Sequence, residues 1–361
     1  MDRRSFIRAS ALGGTAAVAT SLAAPAIAAS HARTLTMVTT WGRGAAGVWD
    51  SVQRVADSVA AMSDGSLTID VKAGGELVGA FEVFDAVTSG QADLYHGADY
   101  YFLGQHPGYA FFTGYPFGLT ASETAAWYYH MGGKELHDEL GQIFGLKSFL
   151  AGNTGTQAGG WFRKEINSPE DFQGLKFRMP GLGGQALGKL GASVQNIPGS
   201  EVYQALASGA LDGTEWIGPW SDQAAGFQEI TDIYYTSGFH EPGVALSLAV
   251  GRDVFEELSP AHQKIIEIAA AEAHQHTLTL YLSKNGTSLG QLQDQGVKTR
   301  QFSDEVWAAF ADATKEVMDE NMDDPLYAKI RESAEAARKA VSSWVSISEG
   351  SFVAQRDRLM S

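Results

Sequence analysis

Apolar and polar positions along the chain fall into two successive α/β series followed by a helical tail. Residues 34–39 (TLTMVT) form a β-rich run. Val48, Val52, Val55, Val59 and Met62 then recur at helical spacing and make one apolar stripe. Asp64-Gly65 closes that helix, and Leu67, Ile69 and Val71 alternate as a strand. Residues 82–89 read as a helix and 92–96 as a strand. This β-α-β-α-β order with short connections predicts a largely parallel sheet covered by helices. A second series runs through strand 175–178, helix 184–190, strand 193–197, helix 201–207 and strand 213–217. Two such units predict two α/β lobes, with ligands held at the carboxyl ends of strands in the cleft between them. The last third is helical, over 260–296, 303–321 and 325–346. Helices of that length pack across lobes or against a partner subunit. No internal repeat and no Pro/Gly/Ser-rich linker interrupts the pattern, so several chain crossings are expected between the lobes.

Composition narrows the function. The 361 residues carry 26 basic and 42 acidic side chains, a net charge of −16. That balance argues against nucleic acid, whose phosphates require a surplus of Lys and Arg. With no cysteine, thiol catalysis, iron–sulfur clusters and Cys-based zinc sites are excluded, and an oxidising compartment fits. At 44% hydrophobic and 19% charged, the composition is that of an ordinary globular protein able to bury a core without staples.

Residues 1–28 read as an export signal. Arg3, Arg4 and Arg8 precede an Ala/Gly-rich apolar stretch, and Ala26-Ile27-Ala28 offers the small–x–small pattern of a cleavage site. The run Arg3-Arg4-Ser5-Phe6-Ile7 resembles the twin-arginine signal, with Asp2 and Arg8 departing from its commonest form. No later window reaches the length of a membrane span. A periplasmic protein that is not itself membrane-embedded is expected.

Three clusters can carry chemistry. Gly152-Asn153-Thr154-Gly155-Thr156-Gln157 is a run of amides and hydroxyls able to meet a ligand or a hard cation, or simply to cap itself. Arg178 closes a strand immediately before a Gly-rich turn and a helix N-terminus, a setting suited to gripping a carboxylate in two places. Glu215, between Thr214 and Trp216 in an otherwise apolar run, is costly if buried without a partner. With the Gln157 oxygen and a carbonyl it can form an all-oxygen site for Na⁺ or Ca²⁺; a solvent-facing Glu on an edge strand is the alternative. The histidines give no zinc pattern, because His274 and His276 point apart and His130 and His137 stand alone. No nucleophile elbow, P-loop or dinucleotide fingerprint is present. The aromatic pairs, from Tyr100-Tyr101-Phe102 to Tyr234-Tyr235, read mainly as core, with those near strand ends available to wall a small ligand.

Taken together, Glu76-Leu77-Val78 with Phe81-Glu82-Val83-Phe84-Asp85-Ala86-Val87, Gly152-Asn153-Thr154-Gly155, Gly159-Gly160-Trp161-Phe162-Arg163-Lys164, Gly174-Leu175-Lys176-Phe177-Arg178 and Asp212-Gly213-Thr214-Glu215-Trp216 resemble the solute-binding subunits of tripartite ATP-independent periplasmic (TRAP) transporters. The resemblance is narrower still to the branch that binds 2-oxo or 2-hydroxy monocarboxylates such as pyruvate and lactate. It implies an α/β, two-lobe periplasmic-binding-protein fold with a ligand cleft between the lobes and long C-terminal helices. Lobe I would comprise 29–155 and 244–283, and lobe II 156–243 and 284–361. It implies Arg178 on the substrate carboxylate and a Na⁺ or Ca²⁺ bridging that carboxylate to Gln157, Glu215 and the Trp216 carbonyl. Tyr101 and Asn153 would hydrogen-bond the ligand, with Glu241 beside them. The implied partners are a small organic acid, the membrane permease subunits and a second copy joined through the C-terminal helix. Gln185, Leu187 and His240 depart from the branch pattern, which leaves ligand size open but not ligand charge. The competing functions are an exported enzyme acting on 2-oxo acids, for which no nucleophile–base set is present, and a ligand-bound sensor partner.

Overall fold

The computed structural model describes residues 32–360, so the predicted signal segment lies outside the described residues. Two mixed sheets organise the chain. The first contains β1 (Arg33–Thr39), β2 (Leu67–Lys72), β3 (Leu94–Gly97), β4 (Leu146–Asn153) and β10 (Ala245–Gly251), in the order β2-β1-β3-β10-β4. The second contains β5 (Gly160–Phe162), β6 (Lys176–Arg178), β7 (Ser193–Gln195), β8 (Gly213–Thr214), β9 (Ile233–Tyr235) and β11 (Lys298–Arg300), in the order β11-β9-β5-β8-β6-β7.

The β-α-β-α-β expectation holds for β1, β2 and β3, which pair in parallel with Val48–Met62 as the first crossover helix. The Val48, Val52, Val55 and Val59 stripe is fully buried against that sheet. In the second sheet β6, β7 and β8 pair in parallel, as their spacing predicts. Each sheet also holds a reversed strand that the local pattern does not announce. β10 runs antiparallel to β3 and β4, and β5 runs antiparallel to β8 and β9. Both are the first strand after the chain crosses from one sheet to the other. A chain leaving the carboxyl edge of one sheet enters the other at its facing carboxyl edge, and so it must run backwards there.

The crossings are the expected several. Residues 154–159 carry the chain from β4 to β5, and residues 236–244 carry it back from β9 to β10. They run side by side, joined by Thr154 N–H to the Val244 carbonyl at 2.9 Å and Gln157 N–H to the Glu241 carbonyl at 3.0 Å. The third crossing is the helix Pro260–Asp294, 35 residues long. Its Ile266, Ala269, Ala270, Ala273 and Tyr281 pack into the apolar cluster of the first sheet, and Leu292 packs with Trp161 and Val202 of the second. Helix Asp304–Asp319 lies on helix Gly181–Lys189, beside the second sheet. Helix Pro325–Val345, grouped by the sequence reading with lobe II, instead packs against Ala121–His130 and Gly133–Ile143 of the first half. Trp127 Nε1 donates to Ser333 Oγ at 3.1 Å, and Tyr327 packs on Phe111. The apolar face of the helix, with Tyr327, Ile330, Ala334 and Ala337 buried, decides this placement.

Candidate functional site

The carboxyl ends of β1, β4, β6 and β8 and the two loop crossings, 154–159 and 236–244, meet between the sheets. Arg178 is the last residue of β6 and is 1% exposed. β8 is shorter than the 213–217 run predicts and ends at Thr214, so Glu215 sits just beyond the strand. Glu215 N–H donates to the Arg178 carbonyl at 3.2 Å, which sets the two side chains next to each other. Arg178 Nη1 donates to Glu215 Oε1, its Nε to the Ile197 carbonyl at 3.3 Å and its Nη2 to Tyr101 Oη at 3.4 Å. The guanidinium also lies over the Trp216 ring, 5.3 Å from its centroid and within the roughly 6 Å of a cation–π contact. Burial opposes the arginine's charge, but the neighbouring Glu215 holds its pKa above the ordinary value.

Around this pair stand oxygens without partners. Gln157 is buried; its Nε2 donates to Thr154 Oγ1 at 3.1 Å and its Oε1 has no partner. Glu215 Oε2 and Glu241 Oε2 are likewise buried and without hydrogen bonds. Ligating atoms of Glu215, His240 and Glu241 lie within 4.8 Å of one another. Burial, followed by the charge of Glu215, pushes the Glu241 carboxyl well above the usual carboxylate range. Three buried oxygens that make no hydrogen bond are too expensive to be incidental, since native interiors satisfy such groups. An oxygen-rich donor set of this kind fits a hard cation such as Na⁺ or Ca²⁺. Gln157 and Glu215 are the side chains that would hold it, with Glu241 beside them and His240 Nε2 at 3.5 Å from Glu215 Oε2.

A small inner cavity, room for about one water-sized body at ≈ 10 Å³, touches Tyr101, Gln157, Arg178 and Trp216 among the expected residues. Its other walls are Trp41, Val48, Tyr100, Thr154 and the apolar side chains Ile217, Val244 and Leu246. Trp41 and Trp216 also line a larger cavity of ≈ 230 Å³ next to it, so the two indoles divide an inner from an outer compartment. Asn153, the last residue of β4, stands at the edge of the cluster. Its Oδ1 accepts from the Gly155 N–H at 2.8 Å and its Nδ2 has no partner.

Two members were not singled out by sequence. Trp41 follows the carboxyl end of β1, a position where ligands of parallel sheets sit, and that was the available signal. Its indole N–H donates to His96 Nδ1 at 3.0 Å, and the burial of His96 lowers that ring's pKa to about 4, so it stays neutral and accepts. His240 was noticed only as a departure from pattern. It is 1% exposed, and a Cβ on Gly183 or Gly238 would come within 2.5 and 2.4 Å of it, so both glycines are needed to admit the ring.

Two α/β sheets sharing a cleft, with a buried guanidinium facing oxygen donors, are the architecture of a solute-binding protein. The profile of the DctP family, described as bacterial extracellular solute-binding protein, family 7, matches residues 46–324, and the chain belongs to that family. The family serves transport, not catalysis. A monocarboxylate 2-oxoacid-binding periplasmic protein of Nostoc sp. is 38% identical over 317 residues, 88% of this chain and 87% of the relative. A TRAP periplasmic solute-binding protein of Pseudoalteromonas atlantica with bound sodium and pyruvate superposes with a TM-score of 0.86 at 39% identity, covering 89% of this chain and 98% of the other. A TRAP transporter solute-binding protein of Bordetella bronchiseptica, a dimer with calcium and picolinate in one site, gives 0.88 at 31% identity over 89% and 96%. Among the described residues no helix is long and apolar enough to cross a membrane.

Proposed function

We propose that this protein captures a small 2-oxo or 2-hydroxy monocarboxylate of the pyruvate or lactate type together with Na⁺ or Ca²⁺, and delivers it to the permease of a TRAP transporter. The observation that carries the reading is the buried Arg178–Glu215 pair beside the unpartnered oxygens of Gln157 and Glu241. Arg178 takes the ligand carboxylate, and Gln157, Glu215 and the Trp216 carbonyl take the cation. Tyr101 and Asn153 donate to the ligand, and Glu241 completes the polar wall.

The charge count supports a joint cargo. Arg178 and Glu215 already cancel each other in a buried site, so an anion alone would leave an uncompensated charge where charge is expensive. A cation arriving with it restores the balance and supplies an oxygen-seeking positive centre. The inner cavity is far smaller than a three-carbon acid, so binding parts Arg178 from Glu215 and gives each a new partner. Release then needs only an opened cleft, in which the ligand binds less well. The halves that open are proposed to be 29–155 with 244–283 and 156–243 with 284–361, apart from the helix Pro325–Val345, whose packing favours the first half.

Residues 1–28 are proposed to be a twin-arginine signal directing the chain to the periplasm. The C-terminal helix Pro325–Val345, with its helical continuation through Ser346–Gly350 and Ser351–Met360, is proposed to join a homodimer, a reading supported by Trp344, Ile347 and Phe352, which are 68%, 70% and 65% exposed. A thermal-shift screen of mono- and dicarboxylates with Na⁺, Ca²⁺ or a chelator tests the ligand assignment. Stabilisation by pyruvate or lactate that depends on a cation is expected, and stabilisation only by dicarboxylates or by uncharged solutes would refute it.

A further inference from the structure

Away from the candidate site, a second cavity of ≈ 280 Å³ opens between residues 115–117, helix Asp304–Asp319 and helix Pro325–Val345. It is just below the usual range for ligand pockets, roughly 300–1,000 Å³, and suits a small occupant. None of its lining residues belongs to the cleft described above.

Its chemistry is divided. One wall is apolar, made by Pro116, Phe117, Ala311 and Met318. The other carries Tyr115 and Thr314, which are 3% and 7% exposed and whose hydroxyls have no hydrogen-bond partner. Both hydroxyl oxygens are closed off from the open space as well as from protein partners, and Glu335 adds a carboxylate to this side. Three cations border the space. Arg331 is engaged by Asp319 at 2.7 Å and Glu335 at 3.0 Å, and Lys315 by Asp312 at 2.8 Å. Arg338, half-buried, has no ion-pair or hydrogen-bond partner among the described residues. Of the three cations, it alone is not already neutralised by a carboxylate among the described residues. Its planar fork is matched to carboxylate geometry. At the mouth, Phe117 is held at φ 53°, in the left-handed region that bulky side chains rarely adopt, by its N–H bond to the Phe239 carbonyl at 2.9 Å. Phe117 is 37% exposed there.

We propose that this cavity is a second ligand site, for a small organic monocarboxylate with a flat or aliphatic apolar body. The carboxylate meets Arg338, and the body lies against Phe117 and Met318. The site is independent of the 2-oxo acid reading, because it shares no residue with that cleft.

Calorimetric titration of the protein with benzoate, hexanoate, benzyl alcohol and inorganic phosphate, each with and without saturating pyruvate, tests it. Benzoate or hexanoate should bind saturably with a Kd of about 1 mM or below, undisturbed by pyruvate. Arg338→Gln should weaken that binding at least about tenfold, and Ala311→Leu, which fills the cavity with a good helix former, should abolish it. Both variants should melt at the wild-type temperature. No saturable binding by about 10 mM, competition with pyruvate, unchanged binding by Arg338→Gln, or equal binding of benzyl alcohol or phosphate would each overturn the assignment.

Discussion

Arg178 and Glu215 decide each other's fate because both are buried and each is the other's principal charge partner. Removing one leaves an uncompensated charge in the interior, at a cost of about 3–5 kcal/mol. Arg178→Ala should therefore lower stability by about that much, whereas Arg178→Ala combined with Glu215→Ala should cost clearly less than the two single changes added together. A double-mutant cycle by chemical denaturation measures the coupling; strict additivity would mean that the pair does not interact energetically. At this scale the sequence was informative. An arginine at a strand end and a glutamate in an apolar run are visible as letters, and the prohibition on unpaired buried charge suggests that they meet. What the letters do not contain is the packing that admits Trp216. A Cβ on Gly199 would lie 2.1 Å from the Trp216 ring, and Gly199 has no left-handed φ to defend. Gly199→Ala should push the indole and weaken ligand binding severalfold while the melting temperature changes little. Unaltered affinity would show that the Trp216 position is immaterial to the site.

Among the elements, the helix Pro260–Asp294 matters most, because its 35 residues pack into the apolar clusters of both sheets. It is tied to β4 by His274 Nδ1, 2.8 Å from the Gly152 carbonyl, one residue before Asn153. Burial lowers the His274 pKa from 6.5 to about 4, so the folded protein keeps the ring neutral. The folded value lies below the unfolded one. The corresponding stability is therefore present above pH 6.5 and is lost as pH falls toward about 4, and it amounts to at most about 3 kcal/mol. His274→Asn, which retains a donor for the carbonyl, should flatten the fall in melting temperature between pH 6.5 and 4. Wild-type and variant curves of the same slope would contradict this. His96 contributes in the same direction and remains in the variant, so the flattening should be partial. The helix itself was legible as a long pattern, and the parallel strands were legible from their alternation. The reversed strands β5 and β10 were not, because β10 pairs with β3 and β4 across roughly a hundred residues and more, and no local periodicity records that pairing. The same holds for Pro325–Val345, whose amphipathic face is readable but whose choice of partner helices is not.

For the whole molecule, the account is one of two sheets that hold a charged ligand and its counter-ion between them. A ligand that binds only the folded, closed form stabilises it by mass action, about 2.7 kcal/mol at a hundredfold excess over Kd. Pyruvate and the cation should therefore raise the melting temperature together by more than the sum of their separate effects, read by scanning calorimetry. Loss of that synergy with EDTA would identify calcium, and its survival would identify sodium. Two strictly separate shifts would count against a shared site. The exposed apolar residues of the C-terminal helix make a second prediction at this scale. Ile347→Glu with Phe352→Glu should convert a dimer to a monomer in light scattering without changing the fold. A monomeric wild type would remove the proposed role of that helix.

The most direct measurement is a calorimetric titration of pyruvate, in Na⁺ and in Ca²⁺, into the wild type and into Arg178→Lys, which keeps the positive charge but not the fork. The account predicts cation-dependent binding to the wild type and a loss of at least about tenfold, some 1.4 kcal/mol, in the variant. Equal affinity of the two proteins for pyruvate would contradict it.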